Sequence, residues 1–198
     1  MQLILASQSP YRKAQLESLG LTFLAIKPEV NEEQLKKDGP DDLVELTRFL
    51  ALHKANSLHA KYPDAIVIGS DQMAEVDGQR LDKPGSKKRA RQQLQRLQGR
   101  KHRLLTSLCV VHGEVTHMFT DITTLHMRQL DAVAIDAYLE QDQPYDCAGS
   151  YKFERGGIAL IEHIETQDPS AIQGLPLMSL TNAFNKLNIP WHQLWRKT

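Results

Sequence analysis

The chain opens with an unbroken apolar run, Leu3-Ile4-Leu5-Ala6. Four apolar positions without alternation fit a short strand over residues 2–6 that is buried on both faces. Ser7-Gln8-Ser9-Pro10 interrupts the run. Ser9 suits an N-cap and Pro10 the first helical position, so a helix is predicted to about Leu19, with Gly20 as its stop. Residues 22–26 read as a second strand, and the polar, acidic stretch 29–38 as a loop. A long helix is predicted over about 41–61, ended by Pro63. Residues 65–68 form a compact apolar strand that stops at Gly69-Ser70, with Asp71 and Gln72 directly after. Asp77-Gly78 is a hairpin signal that pairs residues 73–76 with 79–81. Ser86 caps a basic helix over 87–98. Two long strands, 103–112 and 115–127, flank Gly113-Glu114. A helix over 131–140, a loop of small residues over 146–155, a strand over 157–162 and a last helix over 177–187 complete the pattern.

Strands and helices alternate early, and a hairpin interrupts them later. The fold class predicted is α/β, with a mixed, twisted sheet flanked by helices. No internal repeat, low-complexity segment or long linker breaks the pattern. Residues 1–198 therefore read as a single domain, shaped as two lobes with a central cleft.

Composition narrows the function classes. Apolar residues make up 41% and charged residues 24%, which fits a folded chain with a sizeable core. Lys plus Arg equals Asp plus Glu, at 24 each, so the net charge is zero. That balance argues against a broad nucleic-acid or membrane surface. The two cysteines, Cys109 and Cys147, are far apart and belong to no CxxC pair, which fits a reducing compartment. The N-terminal apolar run is too short for a signal peptide or a membrane span. A cytoplasmic protein is the expectation.

Three places could carry chemistry. Ser7 and Ser9 offer hydroxyls and free N–H groups at a helix N-terminus, a natural anion site. Arg12 and Lys13 add cations there against the dipole preference, which a polyphosphate between them would reconcile. A capped helix with solvated charges accounts for the same residues. Lys54 lies on the apolar stripe of the long helix, where it either snorkels outward or faces a polar cleft. Asp71 follows a buried strand, a place where carboxylates of α/β proteins often line the ligand crevice, and also an ordinary place for a turn aspartate. Lys83 adds a cation after the hairpin, and Glu29, Glu32 and Glu33 add acids. A hard metal such as magnesium favours carboxylate and phosphate oxygens together. The chain has no HExxH, no zinc-spaced Cys/His cluster, no GxSxG elbow and no Walker A loop.

Taken together, the stretches LILASQSPYRKAQLESLG, PEVNE, ALHKA, VIGSDQ, DKP and CAGSYKFERGGIALIEHIETQDPSAIQGLPL resemble the Maf-like nucleoside triphosphate pyrophosphatases. They run in consistent order from residue 3 to residue 177. CAGSYKFE resembles the subgroup that acts on 7-methyl-GTP rather than the one preferring dTTP and UTP. The resemblance implies hydrolysis between the α- and β-phosphates, a divalent cation (magnesium or manganese), a cleft between two lobes and a homodimer. Residue by residue, it implies Asp71 as the catalytic acid and as a metal ligand with Glu32. It implies Ser7, Arg12, Lys54 and Lys83 around the phosphates, and Tyr11, Gln72 and Glu154 as base-specificity positions. Tyr11 departs from the tryptophan expected in the 7-methyl-GTP subgroup and presents a smaller aromatic face. A non-catalytic nucleotide-binding regulator of cell division is the rival reading, and dTTP, UTP or CTP the rival substrates. A nucleic-acid module is weaker, since the basic stretch 87–91 carries no interleaved aromatics.

Overall fold

A computed structural model describes residues 1–195. Its elements are β1 (Leu3–Ala6), α1 (Pro10–Ser18), β2 (Leu24–Ile26), α2 (Glu32–Asp38), α3 (Leu43–His59), β3 (Ile66–Val76), β4 (Gln79–Leu81), α4 (Lys87–Leu97), β5 (Lys101–His112), β6 (Val115–Met127), α5 (Ala132–Asp142), β7 (Ile161–Glu165) and α6 (Leu177–Lys186). Short 3-10 turns cover Gly156–Leu160, Pro169–Gln173 and Trp191–Leu194. The strands form one mixed seven-stranded sheet in the order β2-β1-β3-β5-β6-β7, with β4 paired to β3. The predicted α/β class with a mixed sheet and flanking helices is what forms.

The chain divides into two compact units. The first comprises residues 1–72, 106–121 and 168–195, and the second residues 73–105 and 122–167. In the first unit, β1 pairs in parallel with β2 and with β3, with Leu5 opposite Ile68. Strand alternation sorts the side chains onto two faces. Leu3, Leu5, Ile66 and Ile68 pack with Leu16 of α1 and Leu180, Ala183 and Phe184 of α6. Ile4, Ala6 and Val67 pack on the other face with Ala51, Ala55 and Leu58 of α3. Gly69 continues that second face. A Cβ there would stand 2.2 Å from the Ala51 carbonyl oxygen and 2.8 Å from the Ala55 nitrogen, so only glycine lets α3 lie this close.

In the second unit, β3 and β4 form the predicted hairpin, with Ala74 opposite Leu81. Asp77 and Gly78 both take positive φ (53° and 74°), as a type I′ turn requires. Helices α4 and α5 are joined by Arg91–Asp136 at 2.8 Å and by the Lys87–Glu140 pair. Loop 146–155 lies here as expected. The Tyr151 hydroxyl meets His102 Nε2 at 2.9 Å, and the Lys152 amide donates to the Tyr138 hydroxyl at 2.8 Å.

Three sequence expectations are corrected. Residues 32–38 are a helix, not loop. Asn31 caps it through Gln34 N (3.1 Å), Glu32 and Glu33 fill its first turn, and Lys36 and Lys37 its last. That charge order suits the helix dipole, although no residue of α2 is buried. Second, β3 does not stop at Gly69-Ser70. It runs unbroken to Val76, which puts Asp71 in mid-strand. Third, the strand placed at 157–162 begins only at Ile161. Gly156-Gly157 instead starts a 3-10 turn, with Gly157 N bonded to Lys152 O at 3.0 Å. Cys109 is a buried free thiol. Burial pushes the Cys109 thiol up to about 12, so it behaves as a small core residue. Among the described residues, no helix is long and apolar enough to cross a membrane.

Candidate active site

The first unit brings the opening turn, α2, α3 and the middle of β3 together. Leu5 pairs with Ile68, and just past the end of β1 the Ser7 amide turns back to the Leu5 carbonyl at 2.9 Å. Asp71 then projects to the α3 face, the face on which Gly69 admits the helix. Lys54 of α3 meets it there. Lys54 Nζ donates to Asp71 Oδ1 at 2.7 Å and stands 3.1 Å from Glu32 Oε1. Lys54 is only 4% exposed and Asp71 only 7%. The lysine on the apolar stripe therefore does not snorkel. Its ammonium bridges two carboxylates.

Arg12 is half-buried and fixed by its Nε, which donates to the Gly174 carbonyl at 2.8 Å. Its Nη1 lies 3.5 Å from Ser7 Oγ. Burial lowers the guanidinium below its ordinary value, while the charges of Asp71 and Glu32 pull it back up. For Glu32, burial pushes the carboxyl up, but the charge and hydrogen bond of Lys54, with Lys36 and Arg12, outweigh it. The net result is a carboxyl below its usual range. Asp71, Glu32, Lys54 and Arg12 thus form one mutually neutralising cluster, four of the residues singled out from the sequence.

The other expected residues are placed as follows. Ser7 is buried, and its Oγ accepts from Ser9 N at 3.1 Å. Tyr11 is half-buried at the start of α1. Gln72 is engaged with the 169–173 turn. Lys83 and Glu154 belong to the second unit and are both exposed. Lys152 pairs with Asp146 at 3.4 Å rather than with Glu154. Glu29 pairs with Lys61 at 2.6 Å on the surface, outside the cluster.

The donor set decides how a metal could be held. Among the described residues, no group of three or more His, Cys, Asp or Glu side chains stands together as a metal site. Two carboxylates, Asp71 and Glu32, already converge on one cation, the Lys54 ammonium. A pair of carboxylates fits magnesium, which usually completes its shell with substrate phosphates and water. The residues fit a cation shared with a polyphosphate, and do not fit a closed all-protein cage.

Sequence reading missed the residues that hold this cluster in place. Gly174 O accepts from both Arg12 Nε and Ser70 Oγ, each at 2.8 Å. Gln15 Nε2 donates to Ser170 O (2.8 Å) and Leu175 O (3.0 Å). Asp168, 1% exposed, accepts from Ser170 and from the amide and hydroxyl of Ser179. One signal was available. Asp168-Pro169 repeats the cap-then-proline pattern of Ser9-Pro10, and it too starts a helical turn.

The family model described as Maf-like protein matches residues 2–187. A 7-methyl-GTP pyrophosphatase of Cupriavidus pinatubonensis is 42% identical over 193 residues, covering 96% of this chain and 95% of the relative. Proteins of the same name from Bordetella pertussis and Bdellovibrio bacteriovorus are 44% and 43% identical, covering 95% of this chain and 93% and 98% of theirs. The Staphylococcus aureus Ham1 protein superposes with a TM-score of 0.49 at 14% identity, covering 95% of this chain and 100% of that one, a likeness too slight to bear on function. With the family model spanning nearly the whole chain, and relatives this similar at nearly full length, the chain belongs to the Maf family.

Proposed function

We propose that this protein is a nucleoside triphosphate pyrophosphatase that hydrolyses 7-methyl-GTP to 7-methyl-GMP and pyrophosphate. The observation that carries the reading is the buried cluster in which Lys54 bridges Asp71 and Glu32 beside a fixed Arg12. Full-length relatives bear the name 7-methyl-GTP pyrophosphatase, which supplies the substrate.

In the proposed reaction, water attacks the α-phosphorus in line with the bond to the β-phosphate oxygen. A new oxygen–phosphorus bond forms, the anhydride bond breaks, and its electron pair leaves on pyrophosphate. Asp71 takes the proton. Its Oδ1 is held by Lys54, which leaves Oδ2 for the water. Arg12, Lys54 and Lys83 offset charge growing on the leaving pyrophosphate, and Ser7 donates a hydrogen bond to the chain. Asp71 and Glu32 would hold a divalent cation of the magnesium or manganese type. When bound, that cation supplies positive charge against the phosphate oxygens.

Base recognition falls to Tyr11 and Glu154. A carboxylate accepts hydrogen bonds from the N1–H and amine edge of guanine, and N7-methylation gives the purine a positive charge. Stacking on tyrosine then gains cation–π attraction of roughly 0.5–2 kcal/mol. Because Lys152 is paired elsewhere and Glu154 is exposed, the Glu154 carboxylate is open to such a role.

The test is pyrophosphate release with magnesium across 7-methyl-GTP, GTP, UTP and dTTP. The highest kcat/KM is expected for 7-methyl-GTP. Glu154→Gln should shrink its advantage over UTP by about tenfold, the scale of one lost charged hydrogen bond. Nucleotide binding without pyrophosphate release would sink the enzyme reading, and an unchanged ranking would remove Glu154 from it.

A further inference from the structure

Gln72 stands where base specificity is expected, yet its amide faces inward. On β3, Ser70 and Gln72 share one face of the strand and Asp71 takes the other. Gln72 Nε2 lies 2.9 Å from Thr106 Oγ1, 2.9 Å from Ala171 O and 3.1 Å from Ile172 O. An amide nitrogen has two hydrogens, so these three acceptors take up its whole donor capacity.

The Ala171 carbonyl is the pivot. It accepts from Gln72 Nε2, from Thr106 Oγ1 at 3.1 Å and from the Gly174 amide at 2.8 Å. Gly174 in turn presents its own carbonyl to Arg12 Nε and Ser70 Oγ. Two hydrogen-bonded links therefore separate the Gln72 amide from the residue whose carbonyl holds the Arg12 guanidinium. The turn is short, spanning Pro169–Gln173, so a displacement at Ala171 reaches Gly174 with little slack.

We infer that Gln72 is a positioning residue for Arg12. By tying the 169–173 turn to β3, it sets the Gly174 carbonyl that aims the guanidinium at the phosphate chain. This rests on the proposed reading of Arg12 as a phosphate contact. It assigns Gln72 to the phosphate end of the substrate rather than to the base.

Inorganic pyrophosphate separates the two roles, because it has phosphates and no base. Its affinity is measured calorimetrically, with magnesium, for the wild type, Gln72→Met, Arg12→Lys and the double variant. Gln72→Met should weaken pyrophosphate binding about fivefold, the effect of one mispositioned hydrogen bond. In the Arg12→Lys background, which lacks the Nε contact, the same change should cost less than about twofold. The kcat/KM ratio of 7-methyl-GTP to UTP should hold within about twofold while both values fall together. Thr106→Val removes one tether on Ala171 and one acceptor of the Gln72 amide while leaving the Gln72 side chain in place, and it should also weaken pyrophosphate binding, which guards against misfolding of the first variant. Hydrogen exchange at the Ala171 and Gly174 amides should quicken in both variants, whatever the activity. Unchanged pyrophosphate affinity with a shifted nucleotide ratio overturns the inference. Equal losses in the wild-type and Arg12→Lys backgrounds also overturn it, since the effect would then bypass Arg12. Failure of the wild type to bind pyrophosphate would instead count against the proposed function.

Discussion

Residues 69–72 of β3 and the loop over 146–157 solve the problem of burying polar groups in opposite ways. Around β3 the buried groups are charged and paired: Lys54 lies between Asp71 and Glu32, with Arg12 coupled to both acids. Beneath the loop the hydroxyls and imidazole of Tyr138, Tyr151 and His102 are buried, with the Asp142 carboxyl beside Tyr138. Burial pushes the Tyr151 and Tyr138 hydroxyls above their usual range and holds His102 down at about 4. The first region should therefore answer to the deletion of a charge, and the second to the gain of one. An isolated buried charge is costly, whereas a neutral network is costly only once it is protonated.

The largest expected effect is on turnover. Asp71→Asn keeps the size and much of the hydrogen bonding of the side chain but removes its capacity to take a proton. Turnover on 7-methyl-GTP should fall about 10²–10⁴-fold, with KM changed far less. Near-normal turnover in a folded Asp71→Asn protein would move the catalytic role off β3 and leave Asp71 as a partner for Lys54 alone.

The next effect is on stability. Lys54→Met leaves two carboxylates facing one another without their bridging ammonium. Breaking a buried pair in this way costs on the order of 3 kcal/mol near neutral pH. The sign of its pH dependence is fixed by Glu32, whose carboxyl is held below its usual range in the folded protein. A carboxyl depressed on folding stabilises above its unfolded value, near 4.3, and that contribution is lost as pH falls through its folded value. Without Lys54, Glu32 keeps only the weaker pull of Lys36 and Arg12 against burial, so its carboxyl rises and protonation relieves the variant as the wild type loses its ion pair. Urea unfolding should show a wide gap between the two proteins at pH 7 that narrows toward pH 4. A gap that stays constant with pH would mean the cost of Lys54→Met comes from packing rather than charge.

Much of the fold is legible in the sequence, and the exceptions have physical causes. Ser9-Pro10, Asp77-Gly78 and Ser86 marked real starts and turns because cap and turn chemistry is local. Residues 32–38 read as loop because their helix buries nothing and leaves no apolar stripe, although Asn31 and the acidic-to-basic charge order mark a helix. Asp71 reads as lying after a strand because Gly69-Ser70 looks like punctuation. The glycine is there for α3, not for a turn, and that reason lies 14 residues or more away along the chain, at Ala51 and Ala55. Lys54, Arg12, Glu32 and Asp71 were each picked out, but their interlocking was not, since it depends on the register of β1 against β3. The Gly174 carbonyl could not be found at all. A backbone oxygen leaves no mark in residue identity.

The smallest effect belongs to the loop region and sharpens the comparison from its neutral side. His102 is 1% exposed, its Nε2 meets the Tyr151 hydroxyl, and its Nδ1 has no partner among the described residues. Burial first, and the nearby His126 second, hold its pKa at about 4. An unfolded histidine takes its proton near 6.5, so between about 6.5 and 4 the unfolded chain binds a proton that the folded one refuses. Stability must then fall as pH drops through that window and stay flat above it, by roughly 3 kcal/mol in all. His102→Gln keeps a hydrogen bond within reach of Tyr151 and has nothing to titrate. It should be slightly less stable than the wild type at pH 7.5, by about 1 kcal/mol, and draw level or pass it near pH 4.5. Urea unfolding of both proteins across that range makes the comparison. Parallel curves would mean the buried imidazole is not refusing its proton, and that the polar network under the loop carries charge much as the cluster on β3 does.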